Sequence, residues 1–108
     1  MASKMYILVR ETMIEKDLGH AILSVAHAAS AAGRNWGMEP DFEYWAKNSF
    51  RKVLCIVSDE EFEKSKTYDI DHQIMTECAL DDEEISIVFR PKNQENWPRF
   101  FKFLKLWR

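Results

Sequence analysis

The chain has 108 residues, 46% of them hydrophobic, 13% aromatic and 31% charged, and its 15 Lys and Arg against 18 Asp and Glu leave a formal charge of −3. Seven Phe, four Trp and three Tyr exclude a disordered or linker-like chain, because they carry far more buriable area than such chains hold. Two cysteines give no disulfide framework and no CxxC pair, and Cys55 lies in an apolar run where a small hydrophobe fits. The longest apolar run, Met5 to Val9, is far short of the ~20 residues of a membrane span, and the first residues do not form a secretory leader pattern. These features lead us to expect a single domain over residues 1–108, cytoplasmic, with reduced thiols and no membrane partner.

Met5 to Arg10 (MYILVR) reads as a strand buried on both faces, being continuous in apolar, β-branched and aromatic side chains. Leu18, Ile22, Val25, Ala26, Ala29 and Ala32 recur at helical spacing, which predicts a helix from about Leu18 to Ala32 with Gly33 as its C-terminal cap. Asp41 to Lys47, after Pro40, reads as a short helix with Phe42 and Trp45 on one side. Lys52 to Val57 is a second buried strand, and Ser58 with Glu61 forms a capping box opening a helix that ends near Lys66.

Tyr68 to His72 is a polar loop, Gln73 to Cys78 a third strand, Asp81 to Glu84 a solvated turn, and Ile85 to Arg90 a fourth strand ended by Pro91. Trp97, Phe100, Phe101, Leu104 and Trp107 then mark an amphipathic closing helix. Strand-helix-strand crossovers make strands parallel and right-handed, while the tight link between strands three and four makes them antiparallel. The expectation is an α/β fold, a three-layer α/β/α sandwich around a four-stranded mixed β-sheet.

Charge is unevenly placed along the chain. Residues 59–84 hold eleven acids against two lysines, a balance of −9, and residues 90–108 hold six cations against Glu95, a balance of +5. A local basic face is enough to meet a polyanion, and a solvated charged surface is the alternative.

On the first long helix His20, Ser24 and His27 fall at i, i+4 and i+7 and form one line, read as the face away from the alanines. The two histidines are separated by about 10 Å of helical rise, too far to share one metal ion, so a polar groove or two unrelated histidines are the readings. Gly19 lets backbone come close to a ligand or begins the helix. Glu77 ends the third strand, where carboxylates of α/β sheets face either a site or solvent. Arg99, Lys102 and Lys105 share the face of the closing helix opposite its aromatics, suited to phosphates or to solubility. No Walker loop, GxGxxG, HExxH or GxSxG occurs in the sequence.

Taken together, the opening strand MYILVR, the segment from Gly19 to Ala29 (GHAILSVAHAA), Trp45 before KVLCIV, the SDEE-led helix and the strand ending in Glu77 resemble the type II peptidyl-tRNA hydrolase family over nearly the whole chain. Where that family has GKIAAQCSHAA, its lysine is His20 here, its glutamine is Ser24 and its histidine is kept as His27. The aspartate that ends its third strand falls on Glu77.

The resemblance implies hydrolysis of the ester joining a peptidyl or N-blocked aminoacyl group to the terminal ribose of tRNA. On that reading His20 is the base or water-orienting group held by Glu77. Gly19, Ser24, His27 and Thr76 are polar contacts, and Arg99, Lys102 and Lys105 meet the tRNA. The implied partner is acylated tRNA and the implied assembly a homodimer, with no cofactor or metal required. The alternatives are a catalytically inactive binding module for tRNA, a nucleotide ligand or a protein, and a protein-interaction domain anchored by Trp36, Trp45 or Trp107.

Overall fold

The computed structural model describes residues 2–108. The first strand, β1 (Ser3–Arg10), runs directly into a short helix α1 (Glu11–Lys16), too short to show a helical period in the sequence, and then into the long helix α2 (Leu18–Trp36). Next come α3 (Pro40–Asn48), β2 (Arg51–Val57), α4 (Asp59–Ser65) and β3 (His72–Glu77). The chain closes with β4 (Glu83–Phe89), β5 (Lys92–Asn93), α5 (Arg99–Lys102) and β6 (Lys105–Leu106). The fold is therefore α/β with a mixed sheet.

The sheet order is β3-β4-β1-β2-β6, with β5 pairing on β1. Strands β1 and β2 are parallel, as a crossover through helices requires, and β3–β4, β4–β1 and β2–β6 are antiparallel. Six strands are formed among the described residues, where the sequence suggested four. The two additions are two-residue pairings, Lys92–Asn93 against β1 and Lys105–Leu106 against β2, too short to leave a periodic signal.

Alternation along β1 divides its side chains between two cores. Tyr6 and Leu8 join Cys55, Val57, Phe62, Phe89, Trp97 and Phe101, whereas Met5 and Ile7 pack with Ala28, Ala31, Ala32, Trp36 and Trp45. The alanines let α2 lie close on the sheet. Trp36 and Trp45 are thus core residues, not exposed anchors, and Trp107 is half-buried.

Two expectations fail at helix ends. Helix α2 continues past Gly33, which is exposed within it, and stops at Gly37, whose N–H bonds the Gly33 carbonyl at 2.9 Å. Trp36 explains the extension: one more turn buries its indole against the sheet-side core.

The closing helix is four residues long and does not reach Trp107. Beyond it Lys105 and Leu106 pair with Ile56 and Cys55, and the Trp107 N–H donates to the Leu54 carbonyl at 2.9 Å. The otherwise unpaired edge of β2 supplies hydrogen bonds that outweigh the helical spacing. Lys105 consequently stands on a strand and shares no helical face with Arg99 and Lys102.

Candidate functional site

The site is built at the start of α2. Asp17 is the N-cap of that helix, and its carboxylate accepts from the His20 backbone N–H at 3.1 Å through Oδ1. Its second oxygen, Oδ2, lies 2.7 Å from Nδ1 of the His20 ring. One carboxylate therefore caps the helix and holds the imidazole, with Nδ1–H as the donor and Nε2 left as the free acceptor.

The pair is partly exposed, and each member shifts the other. The hydrogen bond to Asp17 raises the His20 pKa above its ordinary 6.5, with the charges of Asp17 and Glu77 acting in the same sense. The same bond lowers the pKa of Asp17. Asp17, and not Glu77, is the group that holds His20. An Asp three residues before a His at a helix start was the available signal for it.

Ala21, next to His20, packs with Val9, Met13 and Ile85, which sets His20 near the C-terminal end of β1. Glu77 ends β3 opposite Glu83 and is half-buried, close enough for its charge to act on His20. Its carboxylate accepts from the Ala79 N–H at 3.1 Å, capping a turn at Cys78–Leu80. Thr76 is exposed beside it at a bulge between Met75 and Thr76. Gly19 is exposed, and a Cβ there would meet only Asp17 Oδ1, at an ordinary 3.6 Å. The fold itself does not demand glycine at that point.

Ser24 and His27 do not join this group as a polar line. Ser24 is 3% exposed, and its hydroxyl donates to the Ala21 carbonyl at 2.7 Å. At 100° per residue it falls beside Ala21 and Ala28 on the buried stripe, while His27 is turned out to solvent. Of the reactive side chains, Cys55 is 1% exposed in the core, out of reach of a substrate, and burial pushes its pKa up to about 11.

Charges around the strand ends are largely paired. Arg10 bonds Asp59 at 3.0 Å and the Glu84 carbonyl at 2.6 Å, Lys16 bonds Glu83 at 3.2 Å, and Lys66 bonds Glu84 at 2.5 Å. An apolar groove of about 390 Å³, lined by Ile22, Val25, Ala26, Leu54 and Trp107, lies on the other flank of α2. It is turned roughly half a circle from His20 and takes no part in the site.

No family model matches the chain, and no curated protein matches it. No helix among the described residues is long and apolar enough to cross a membrane.

Proposed function

We propose that the protein hydrolyses the ester of peptidyl-tRNA or N-blocked aminoacyl-tRNA at the strand ends where Asp17, His20 and Glu77 gather. The observation that carries this reading is the Asp17–His20 pair. A carboxylate on Nδ1 fixes the tautomer and leaves Nε2 to take a proton from water as that water attacks the ester carbonyl. The tetrahedral oxyanion then collapses and expels the ribose 3′-oxygen, which receives the proton from the imidazolium. Glu77 adds negative charge that favours the imidazolium.

The exposed backbone of Gly19 at the first turn of α2 suits close approach of the acyl group. Arg99, Lys102 and Lys105 belong to the same proposal as contacts to the tRNA, in the cytoplasm, with a homodimer as the assembly. A three-layer α/β/α arrangement is the finer reading of the fold, supported by the two cores that β1 divides.

The burial of Ser24 favours a second reading, a binding module with this fold and no turnover, since it removes one polar group from the groove. Release of N-acetyl amino acid from N-acetyl-aminoacyl-tRNA decides between them. Turnover that falls at least about a hundredfold in His20→Ala and falls clearly in Asp17→Asn, with folding intact, is the expected result. Absence of turnover in the unaltered protein selects the binding module.

A further inference from the structure

A second surface lies diagonally across the molecule from His20, at the N-terminal ends of β1 and β2 and on the sheet face that carries α5. Lys4 and Arg51 are direct partners in the parallel register, so two cations stand side by side on neighbouring strands. Lys4 has the strand parity of Tyr6, and its ammonium sits 5.3 Å from the centre of that ring. Tyr6 in turn packs on Trp97 and Phe101, which brings Lys102 to the same corner. Lys102 lines a hollow there with Ala2, Gln94 and Glu95.

None of the three cations forms an ion pair among the described residues, and Glu95, the acid in that hollow, pairs with none of them. Burial, then the charges of Arg51 and Lys102, lower the Lys4 pKa. Like charges set side by side cost stability that an arriving polyanion returns. The cations at the other end of β1, Arg10 and Lys16, are by contrast each held by an acid.

An aromatic completes the surface. Phe103, directly after Lys102, is 72% exposed, and the Arg99 guanidinium lies 5.2 Å from its ring centre. An exposed ring beside unpaired cations suits stacked bases and a tracked phosphate backbone better than it suits an acidic protein surface.

We infer that Lys4, Arg51, Lys102, Arg99 and Phe103 form a surface for single-stranded RNA, separate from the Asp17–His20 pair. It goes beyond the ester reading, sharing with it nucleic acid as partner and Arg99 and Lys102 as contacts, and adding Lys4, Arg51 and Phe103. Lys4, Arg51 and Lys102 contact phosphates, Arg99 lies against the Phe103 ring, and Phe103 stacks on a base.

The test is fluorescence anisotropy of a labelled single-stranded RNA of mixed sequence, titrated with the full chain over about 50 to 200 mM salt. The triple variant K4Q/R51Q/K102Q should weaken binding at least about tenfold and make the log–log salt slope shallower by about two. Phe103→Ala should weaken binding about tenfold and leave the slope as it was. Lys102→Gln alone, at an exposed position, should make the slope shallower by about 0.7, which guards against misfolding of the triple variant.

An unaltered protein that does not bind the RNA, or folded variants that keep its affinity and slope, would overturn the inference. Because the oligonucleotide carries no ester, this outcome is independent of hydrolysis. Patch-dependent binding by a protein that turns over no acylated tRNA upholds the surface and sinks the ester reading. Turnover with no dependence of RNA binding on the patch does the reverse.

Discussion

Asp17 links helix formation to chemistry, because the carboxylate that ends the chain's approach to α2 also orients the His20 ring. The link makes stability depend on pH with a definite sign. His20 has a raised pKa, so its contribution is complete below the ordinary 6.5 and is lost as pH rises through the folded value. Asp17 has a lowered pKa, so its contribution is complete above its ordinary 3.8 and is lost as pH falls through the folded value. The pair therefore stabilises most between those two ordinary values. Asp17→Asn should flatten that part of a urea-midpoint against pH curve, and an unchanged curve would show the pair to be energetically silent.

A second residue-scale expectation concerns Ser86, fully buried in β4 with a hydroxyl that has no hydrogen-bond partner. Leaving such a group dry costs about 1–3 kcal/mol, so Ser86→Ala should raise stability by about 1 kcal/mol in urea unfolding. Loss of stability on that change would mean that the hydroxyl is satisfied in solution.

At the scale of elements, local chemistry was legible where it decides the structure and illegible where tertiary contacts do. The Ser58 capping box is present in both halves, Glu61 N–H to Ser58 Oγ at 3.1 Å and Ser58 N–H to Glu61 Oε1 at 2.8 Å, and α4 follows from it. On α2 the buried face is Ala21, Ala28, Ala31 and Ala32, whereas the expected stripe leaves Leu18, Ile22 and Ala26 exposed; the central strands could be read from side-chain type, since they answer to burial. The closing segment could not. Trp97 fits the helical spacing of Phe100 and Phe101, yet it precedes α5, and its indole N–H is shared by the Lys4 and Lys92 carbonyls at 3.2 Å.

Gly33 misled because glycine suits a helix end, although here it stands in the exposed interior of α2 with nothing within 4 Å of an added Cβ. Gly33→Ala should accordingly stabilise the protein by about 0.5–1 kcal/mol, read from the urea midpoint. A loss of stability would place the helix end where the sequence first suggested it.

Over the whole molecule, charge and site are arranged by the sheet. The strand-end site at α2 has its nearby cations engaged by Asp59, Glu83 and Glu84, whereas the corner at Lys4, Arg51 and Lys102 is left unneutralised among the described residues. The sequence showed the basic C-terminal segment, but Lys4 and Arg51 are 47 positions apart and meet only through strand register. In the same way His20 and Glu77 were visible as candidates in the sequence, while Asp17 reads there as an ordinary helix cap and its hold on the ring depends on the turn geometry at the start of α2. Ser24 leaves the polar line of His20 and His27 for the physical reason that its position borders the buried stripe.

The claim that Asp17 poises His20 as a base is tested most directly by the pH dependence of N-acetyl-aminoacyl-tRNA hydrolysis in the unaltered protein and in Asp17→Asn. A base with a raised pKa gives a rate that climbs with pH through that value, and removing the carboxylate lowers the pKa. The rising limb should move to lower pH in Asp17→Asn, with a reduced plateau from the freed ring. A limb that stays in place, or a rate with no such limb, would contradict it.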